Sequence, residues 1–276
     1  MNFVIWVYRI QIKGSVVYVN LLMSRQLFGG NPAAVCPLEA WPDDKILQNI
    51  ARENNLPETA FFVQLSEKKY HLRWFTLEIE MDLCGHATLA AAFVIIHELG
   101  NNNSTILFDT QSGLLQVKEI EGYLELDFPS RPPKKVDLPP IIRDGLNILP
   151  KEIWKARDYL LVYNSERDIE NIEPNVPIIN QLNIDPGGII VTARGNSEEV
   201  DFVSRFFTPQ ASVFEDPVTG SAHCTLIPFW ATRLKKTNLR AAQISERGGE
   251  LICQLKKDRV SIRGKAVKYL EGIIEL

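Results

Sequence analysis

Apolar positions along the chain recur with two periods. Residues 43–54 place Ile46, Leu47, Ile50 and Ala51 on one helical face, with Asp43 or Asp44 available as the cap. Residues 15–22, 59–65 and 70–76 are rich in β-branched and aromatic side chains and read as strands. Residues 85–99 form an almost unbroken apolar run of helical length, and Gly100 is its natural stop. With no polar face, that helix should have protein on all sides. Strand-like runs follow at 105–109, 114–119 and 123–128.

The texture then breaks. Pro129, Pro132, Pro133, Pro139 and Pro140 crowd together with Arg131, Lys134 and Lys135, the best linker candidate in the chain. Beyond it the pattern restarts, with strands predicted at 158–163, 188–193 and 200–207 and a helix at about 219–234. From 241 onward short strands are broken at Gly248, Gly249 and Gly264. The second half echoes the first. Arg73-Trp74-Phe75-Thr76 matches Arg205-Phe206-Phe207-Thr208, and Asp82 ahead of Gly85-His86-Ala87 matches Asp216 ahead of Gly220-Ser221-Ala222 at nearly the same spacing. Each half reads strand, acid-bearing loop, glycine, apolar helix, which implies an internal duplication. The expected halves are 1–128 and 129–266, and a strand at about 267–276 can pair back onto the first.

Composition narrows the class. The 276 residues are 45% hydrophobic and 23% charged, with 16 Gly and 16 Pro, which excludes disordered and collagen-like chains. The length suits one large domain or two of about 130 residues. A net charge of −4 without a basic block gives no footprint for nucleic acid. The apolar run at residues 3–8 is too short for a signal-peptide core or a membrane span, so a cytoplasmic protein with no membrane partner is expected. The four cysteines, Cys36, Cys84, Cys224 and Cys253, are scattered and should be free thiols.

Candidate chemistry clusters at the two helix starts. The first four N–H groups of a helix lack internal partners, and the helix dipole makes that end electropositive. Small residues there, Gly85 in one half and Gly220 with Ser221 in the other, let a carboxylate or a developing enolate approach the backbone; equally, the glycines could serve only to make tight turns. Glu58 follows Pro57 at the mouth of an apolar strand beside Phe61 and Phe62. It reads either as a general acid/base of raised pKa or as a solvated loop glutamate. His86 lies in the first turn of its helix, where the dipole disfavours imidazolium. It reads as a neutral donor to substrate or as a ring bonded to nearby backbone, and His223 shares that ambiguity. Cys84 reads as a low-pKa thiol or as a small buried residue. Asp82, Cys84 and His86 alternate, and His223 adjoins Cys224, but neither spacing matches a common zinc site, so no metal is expected. There is no GxGxxG, P-loop or GxSxG, so no nucleotide cofactor or serine-hydrolase chemistry is indicated.

Several segments together resemble one family. They are Phe28-Gly29-Gly30-Asn31-Pro32-Ala33-Ala34-Val35, Asn55-Leu56-Pro57-Glu58-Thr59-Ala60-Phe61 and Leu83-Cys84-Gly85-His86-Ala87-Thr88-Leu89-Ala90. Glu215-Asp216-Pro217-Val218-Thr219-Gly220-Ser221-Ala222-His223-Cys224 and Arg247-Gly248-Gly249-Glu250-Leu251 complete the set. From about residue 28 to the C-terminus the chain is similar to the PhzF-like (phenazine biosynthesis protein F) family of the diaminopimelate-epimerase-like superfamily.

That resemblance implies an α+β fold of two pseudo-equivalent halves, each a β-barrel-like sheet wrapped around a central helix, with the site between the halves. It implies cofactor-free proton transfer on a small carboxylic or amino acid. Glu58 would be the general acid/base, with His86 and Asp216 completing the catalytic set. Gly85, Gly220 and Ser221 would bind the substrate anion, with Cys84 and Asn31 as further candidates. Related epimerases use two facing cysteines. Cys84 matches the first, but the second region reads Asp216-Pro217-Val218-Thr219-Gly220, without one. A Cys84-dependent epimerase and a non-catalytic binding protein are the alternatives, and a homodimer is the family expectation. The family's usual Asp-Ala-Phe-like first strand is replaced here by Tyr18-Val19-Asn20-Leu21-Leu22-Met23-Ser24-Arg25-Gln26-Leu27, and residues 1–14 read as an extension. Phenazine synthesis itself does not follow, because the matched residues report a type of reaction and not a pathway.

Overall fold

Helix α1 (Asp44–Asn54) follows from its sequence alone. The Asp43 side chain caps its N-terminus by accepting from the Lys45 N–H, and Asn55 ends it in the left-handed region at φ 51°. Its buried stripe of Leu47, Ile50 and Ala51 packs with Cys36, Phe61 and Phe75. Each such large side chain removed from water contributes about 1.5–3 kcal/mol.

The computed structural model describes residues 15–21, 28–184 and 187–274. The proposed extension at 1–14, the atypical stretch at 22–27 and the end of the last predicted strand at 275–276 lie outside the described residues. Of the described residues, 15–21, 32–126 and 265–274 form one compact unit, and 28–31 with 127–264 form a second.

In the first unit, β1 (Ser15–Leu21) and β2 (Asn31–Leu38) precede α1. Then come β3 (Glu58–Gln64), β4 (Lys69–Phe75), the two-residue β5 (Glu80–Met81) and helix α2 (Gly85–Phe93). β6 (Thr105–Thr110), β7 (Gly113–Ile120) and β8 (Tyr123–Pro129) follow. β2 runs parallel to β3, β3 antiparallel to β4, β4 parallel to β6, and β6, β7 and β8 pair antiparallel in turn. Parallel neighbours need a crossover, and α1 and α2 supply the two. α2 is buried from His86 through Ala92, a surface dominated by alanine. It begins at Gly85 as expected. It does not stay α-helical to Leu99: Val94–Glu98 forms a wider π turn, closed by the Leu99 N–H on the Val94 carbonyl at 2.9 Å. A hydrophobic pattern reports which faces are buried and cannot report such a change of hydrogen-bond register.

The second unit holds β9 (Lys134–Lys135), α3 (Pro140–Asp144), β10 (Glu152–Lys155), β11 (Tyr159–Val162), α4 (Glu166–Glu170) and α5 (Val176–Ile179). It continues with β12 (Ile189–Arg194), β13 (Phe202–Phe207), α6 (Gly220–Leu234), β14 (Asn238–Gln243), β15 (Gly249–Lys256) and β16 (Arg259–Gly264). The predicted linker is therefore structured in part, because β9 pairs with β10. The periodicity missed β5, β9, β10 and α3 to α5, which have two to five residues each, too few to establish a period, and it missed the eight-residue β2, which is buried on both faces and so shows no alternation.

The pairing sequence of the first unit recurs here. β11 is parallel to β12, β12 antiparallel to β13, β13 parallel to β14, and β14, β15 and β16 pair antiparallel in turn. α6 occupies the place of α2 and is buried from Ala222 through Ala231. The matched tetrapeptides carry matched contacts as well. Arg73 forks onto Glu80 through two hydrogen bonds of 2.7 Å and lies 5.1 Å from the Phe75 ring. Arg205 forks onto Glu215 at 2.7 and 2.8 Å and lies 5.1 Å from the Phe207 ring.

The last strand, β17 (Val267–Ile273), belongs to the first unit and pairs antiparallel with β1, from Ser15 opposite Ile273 to Asn20 opposite Val267. Among the described residues no helix is long and apolar enough to cross a membrane.

Candidate active site

In the first unit the left-handed turn at Asn55 reverses the chain after α1, so that Pro57 leads directly into β3 with Glu58 as its first residue. Cys84, extended at φ −138° and ψ 117°, is the N-cap of α2, and no side chain caps the helix. The two segments meet there. His86 Nε2 lies 3.0 Å from Glu58 Oε2, with side chains exposed to only 8% and 18%. Cys84 Sγ lies 3.6 Å from His86 Nδ1. Gly85, half-buried, sits between them in sequence.

The ionisation of this trio follows from those contacts. Burial pulls the His86 imidazole down, but the Cys84 sulfur and the Glu58 carboxylate outweigh it and hold its pKa well above the ordinary histidine value. These two partners oppose the neutral form that the helix end favours. Burial, helped by the nearby Glu58, raises the Cys84 thiol, and His86 offsets this only in part. Cys84 is therefore the buried thiol of the two readings and not the low-pKa one.

The second unit builds a different arrangement at its helix start. Thr219 is the N-cap of α6, and its side chain makes no capping bond to the helix. Its hydroxyl donates instead to Asp216 Oδ2 at 2.5 Å. Asn31, fully buried, donates from Nδ2 to Asp216 Oδ1 at 2.7 Å and to the Val218 carbonyl at 3.1 Å. The Gln243 side chain on β14 donates to the Asp216 carbonyl at 2.7 Å and accepts from the Thr219 N–H at 2.9 Å. Arg247 holds the turn before Asn31, donating from Nε to the Gly30 carbonyl at 2.8 Å, and the Gly30 N–H donates to the Gly248 carbonyl at 2.9 Å. Gly248 adopts φ 62°, which disfavours any side chain. Gly220 and Ser221 remain half-buried in the first turn of α6.

His223 resolves to its structural reading. Its Nδ1–H donates to the Thr219 carbonyl at 2.7 Å, and its ring lies 6.0 Å from that of Phe202. Burial lowers its pKa to about 4, so it is neutral at pH 7.

The bare helix starts stand out against the rest of the molecule. α1, α4 and α5 are capped by the side chains of Asp43, Ser165 and Asn175. α3 begins with Pro140, which has no N–H to cap. Among the described α-helices α2, α3 and α6 have no side-chain cap, and of these only α2 and α6 begin with glycine.

In the first unit the structure thus brings Glu58, Cys84, Gly85 and His86 together, and in the second Asn31, Asp216, Gly220 and Ser221. Sequence reasoning missed Thr219 and Gln243 as the groups that hold Asp216. Thr219 lies inside the matched motif, whereas Gln243 arrives from a strand after α6 and carries no local signal. The four cysteines are free.

The family model for phenazine biosynthesis-like proteins (PhzC–PhzF) matches residues 23–272. An uncharacterized isomerase of Pseudomonas aeruginosa is 48% identical over 249 residues, 90% of this chain and 94% of that protein. The crystal structure of a PhzF-family protein from Enterococcus faecalis is 44% identical and superposes with a TM-score of 0.88, covering 94% of this chain and 98% of its own. A predicted epimerase from Pseudomonas aeruginosa shares the fold alone, with a TM-score of 0.68 at 16% identity over 94% of this chain and 98% of its own. Repeated topology, two central helices with bare N-termini and this match over most of the chain place the protein in the PhzF-like family of isomerases, with its diaminopimelate-epimerase-like α+β fold.

Proposed function

We propose that this isomerase works without a cofactor, moving a proton between carbon positions of a small carboxylic or amino acid by general acid/base catalysis. The observation that carries this reading is the 3.0 Å contact of Glu58 with His86, shielded from water at the uncapped start of α2. Glu58 is the base. It takes a proton from carbon and returns it to another carbon on the same face, so no redox partner is needed. His86 Nε2, 3.0 Å from Glu58 Oε2, holds the carboxylate by charge attraction rather than through a hydrogen bond. When the proton arrives on Glu58, negative charge moves onto the substrate. The free amides at Gly85 are assigned to the substrate carboxylate and to that developing charge. The family resemblance alone adds Gly220, Ser221 and Asp216 of the second unit to the substrate-binding set.

The test is solvent deuterium exchange into a panel of small carboxylic and amino acids, followed by NMR. Glu58→Gln should lower exchange and turnover by about 10³-fold or more while retaining fold and ligand binding. Undiminished turnover in that variant refutes the assignment.

A second reading, Cys84-dependent epimerisation, is favoured by the Sγ contact with His86 and opposed by the burial that keeps the thiol protonated. Exchange lost in Cys84→Ala and kept in Glu58→Gln would select it. No exchange from a broad panel would select a binding protein instead.

A further inference from the structure

Glu58, Cys84 and His86 are also a donor set of a second kind. One ligand atom from each lies within 4.8 Å of the other two, and among the described residues no other His, Cys, Asp or Glu trio meets that distance. In a tetrahedral zinc site, with Zn–S about 2.3 Å and Zn–N about 2.0 Å, sulfur and nitrogen lie about 3.5 Å apart. Cys84 Sγ and His86 Nδ1 are 3.6 Å apart, so this pair already spans one edge of such a tetrahedron. Glu58 Oε2 lies 3.0 Å from the other ring nitrogen, Nε2, and a Glu58 oxygen is within 4.8 Å of both Cys84 Sγ and a His86 ring nitrogen.

The donor types point in the same direction. Thiolate, imidazole and carboxylate together suit zinc-class ions, whereas Mg²⁺ and Ca²⁺ have no use for the sulfur. This set is not the alternating one visible in the sequence. Asp82 is exposed, and its place is taken by Glu58 from a separate strand.

We propose that Glu58, Cys84 and His86 form a three-ligand site for a thiophilic divalent cation of the zinc class, whose occupancy inhibits the enzyme. Coordination releases the Cys84 thiol proton and any proton on His86 Nδ1 to solvent. It engages the Glu58 carboxylate directly and leaves a fourth position for water. Three protein ligands with one open position is a common zinc arrangement. Metal and proton transfer are then mutually exclusive, because both need the Glu58 carboxylate.

Titration of the metal-free, full-length protein with ZnCl₂ and with CoCl₂ tests this without reference to substrate or turnover. Calorimetry should give one equivalent of Zn²⁺, and Co²⁺ should show the near-ultraviolet band of thiolate coordination. Cys84→Ser should abolish the band. It and His86→Gln should each weaken Zn²⁺ binding by about 100-fold. Cys253→Ala, which alters a buried cysteine outside the set, should leave both unchanged. Circular dichroism establishes that each variant is folded. Absence of one-equivalent binding, or binding indifferent to Cys84→Ser and His86→Gln, overturns the proposal. Neither result bears on Glu58 as the base, which the exchange experiment decides separately.

Discussion

The two units share a pairing order, a buried central helix and an arginine fork, yet their helix starts differ in chemistry. At α2 the acid is held by a histidine that is itself ionisable. At α6 the acid is held by an amide and a hydroxyl, which do not titrate, and the nearby histidine is sealed into the core as the neutral form. One scaffold thus presents an acid beside an ionisable partner and an acid held by groups that do not titrate. The sheet order and the arginine fork are common to the two units, and the residues around each N-cap differ.

The largest expected effect separates the two acids. Glu58→Gln should cost about 10³-fold in turnover or more, because on the proposed mechanism it removes the base. Asp216→Asn, which keeps the shape and much of the hydrogen bonding, should cost about 10²-fold at most. Parallel kcat measurements check this, and an equal loss in both variants would collapse the distinction.

The histidines should respond to acid and base in opposite senses. His223 has a depressed folded pKa of about 4, against about 6.5 when unfolded. Its contribution is present above about pH 6.5 and is lost as pH falls toward 4, about 3 kcal/mol in all. His86 is raised when folded. Its contribution is complete below the unfolded value of about 6.5 and fades as pH climbs through the higher folded value. Urea unfolding across pH should show His223→Gln flattening the acid limb and His86→Gln the alkaline limb.

The arginine forks should be unequal. Arg205 also donates to the Ile169 and Ile172 carbonyls at 3.1 and 2.8 Å, so Arg205→Ala orphans two backbone acceptors besides Glu215. It should cost about 3 kcal/mol, against about 1–2 kcal/mol for Arg73→Ala, whose second partner Asp44 is exposed. The smallest effect should come from Gly248→Ala. An added Cβ there comes only to 3.6 Å of the Gln243 carbonyl, so the cost is that of a left-handed backbone, about 1 kcal/mol.

What the sequence disclosed, and what it withheld, follows from how local each cause is. Gly85 and Gly220 were legible as helix starts because glycine precedes an apolar run on the same stretch of chain. The cap of α1 at Asp43 was equally local. The Ser165 and Asp168 capping box of α4 was present in the sequence but frames only one helical turn. The contact of His86 with Glu58 could not be read, because Glu58 reaches it from a separate strand. Gln243 could not be read at all, because its partners are on other elements.

The pairing of β17 with β1 has a consequence for synthesis of the chain. Every residue of the second unit lies between those two strands, so a ribosome completes that unit before releasing the strand that finishes the first. The second unit, nearly continuous in sequence, can fold as it emerges. β1 meanwhile keeps open backbone groups on the side that β17 will occupy, and closing that pair spans a very long loop. Maturation of the first unit therefore follows translation of the second, and the waiting β1 edge is where chaperone engagement or mispairing with another nascent chain would concentrate.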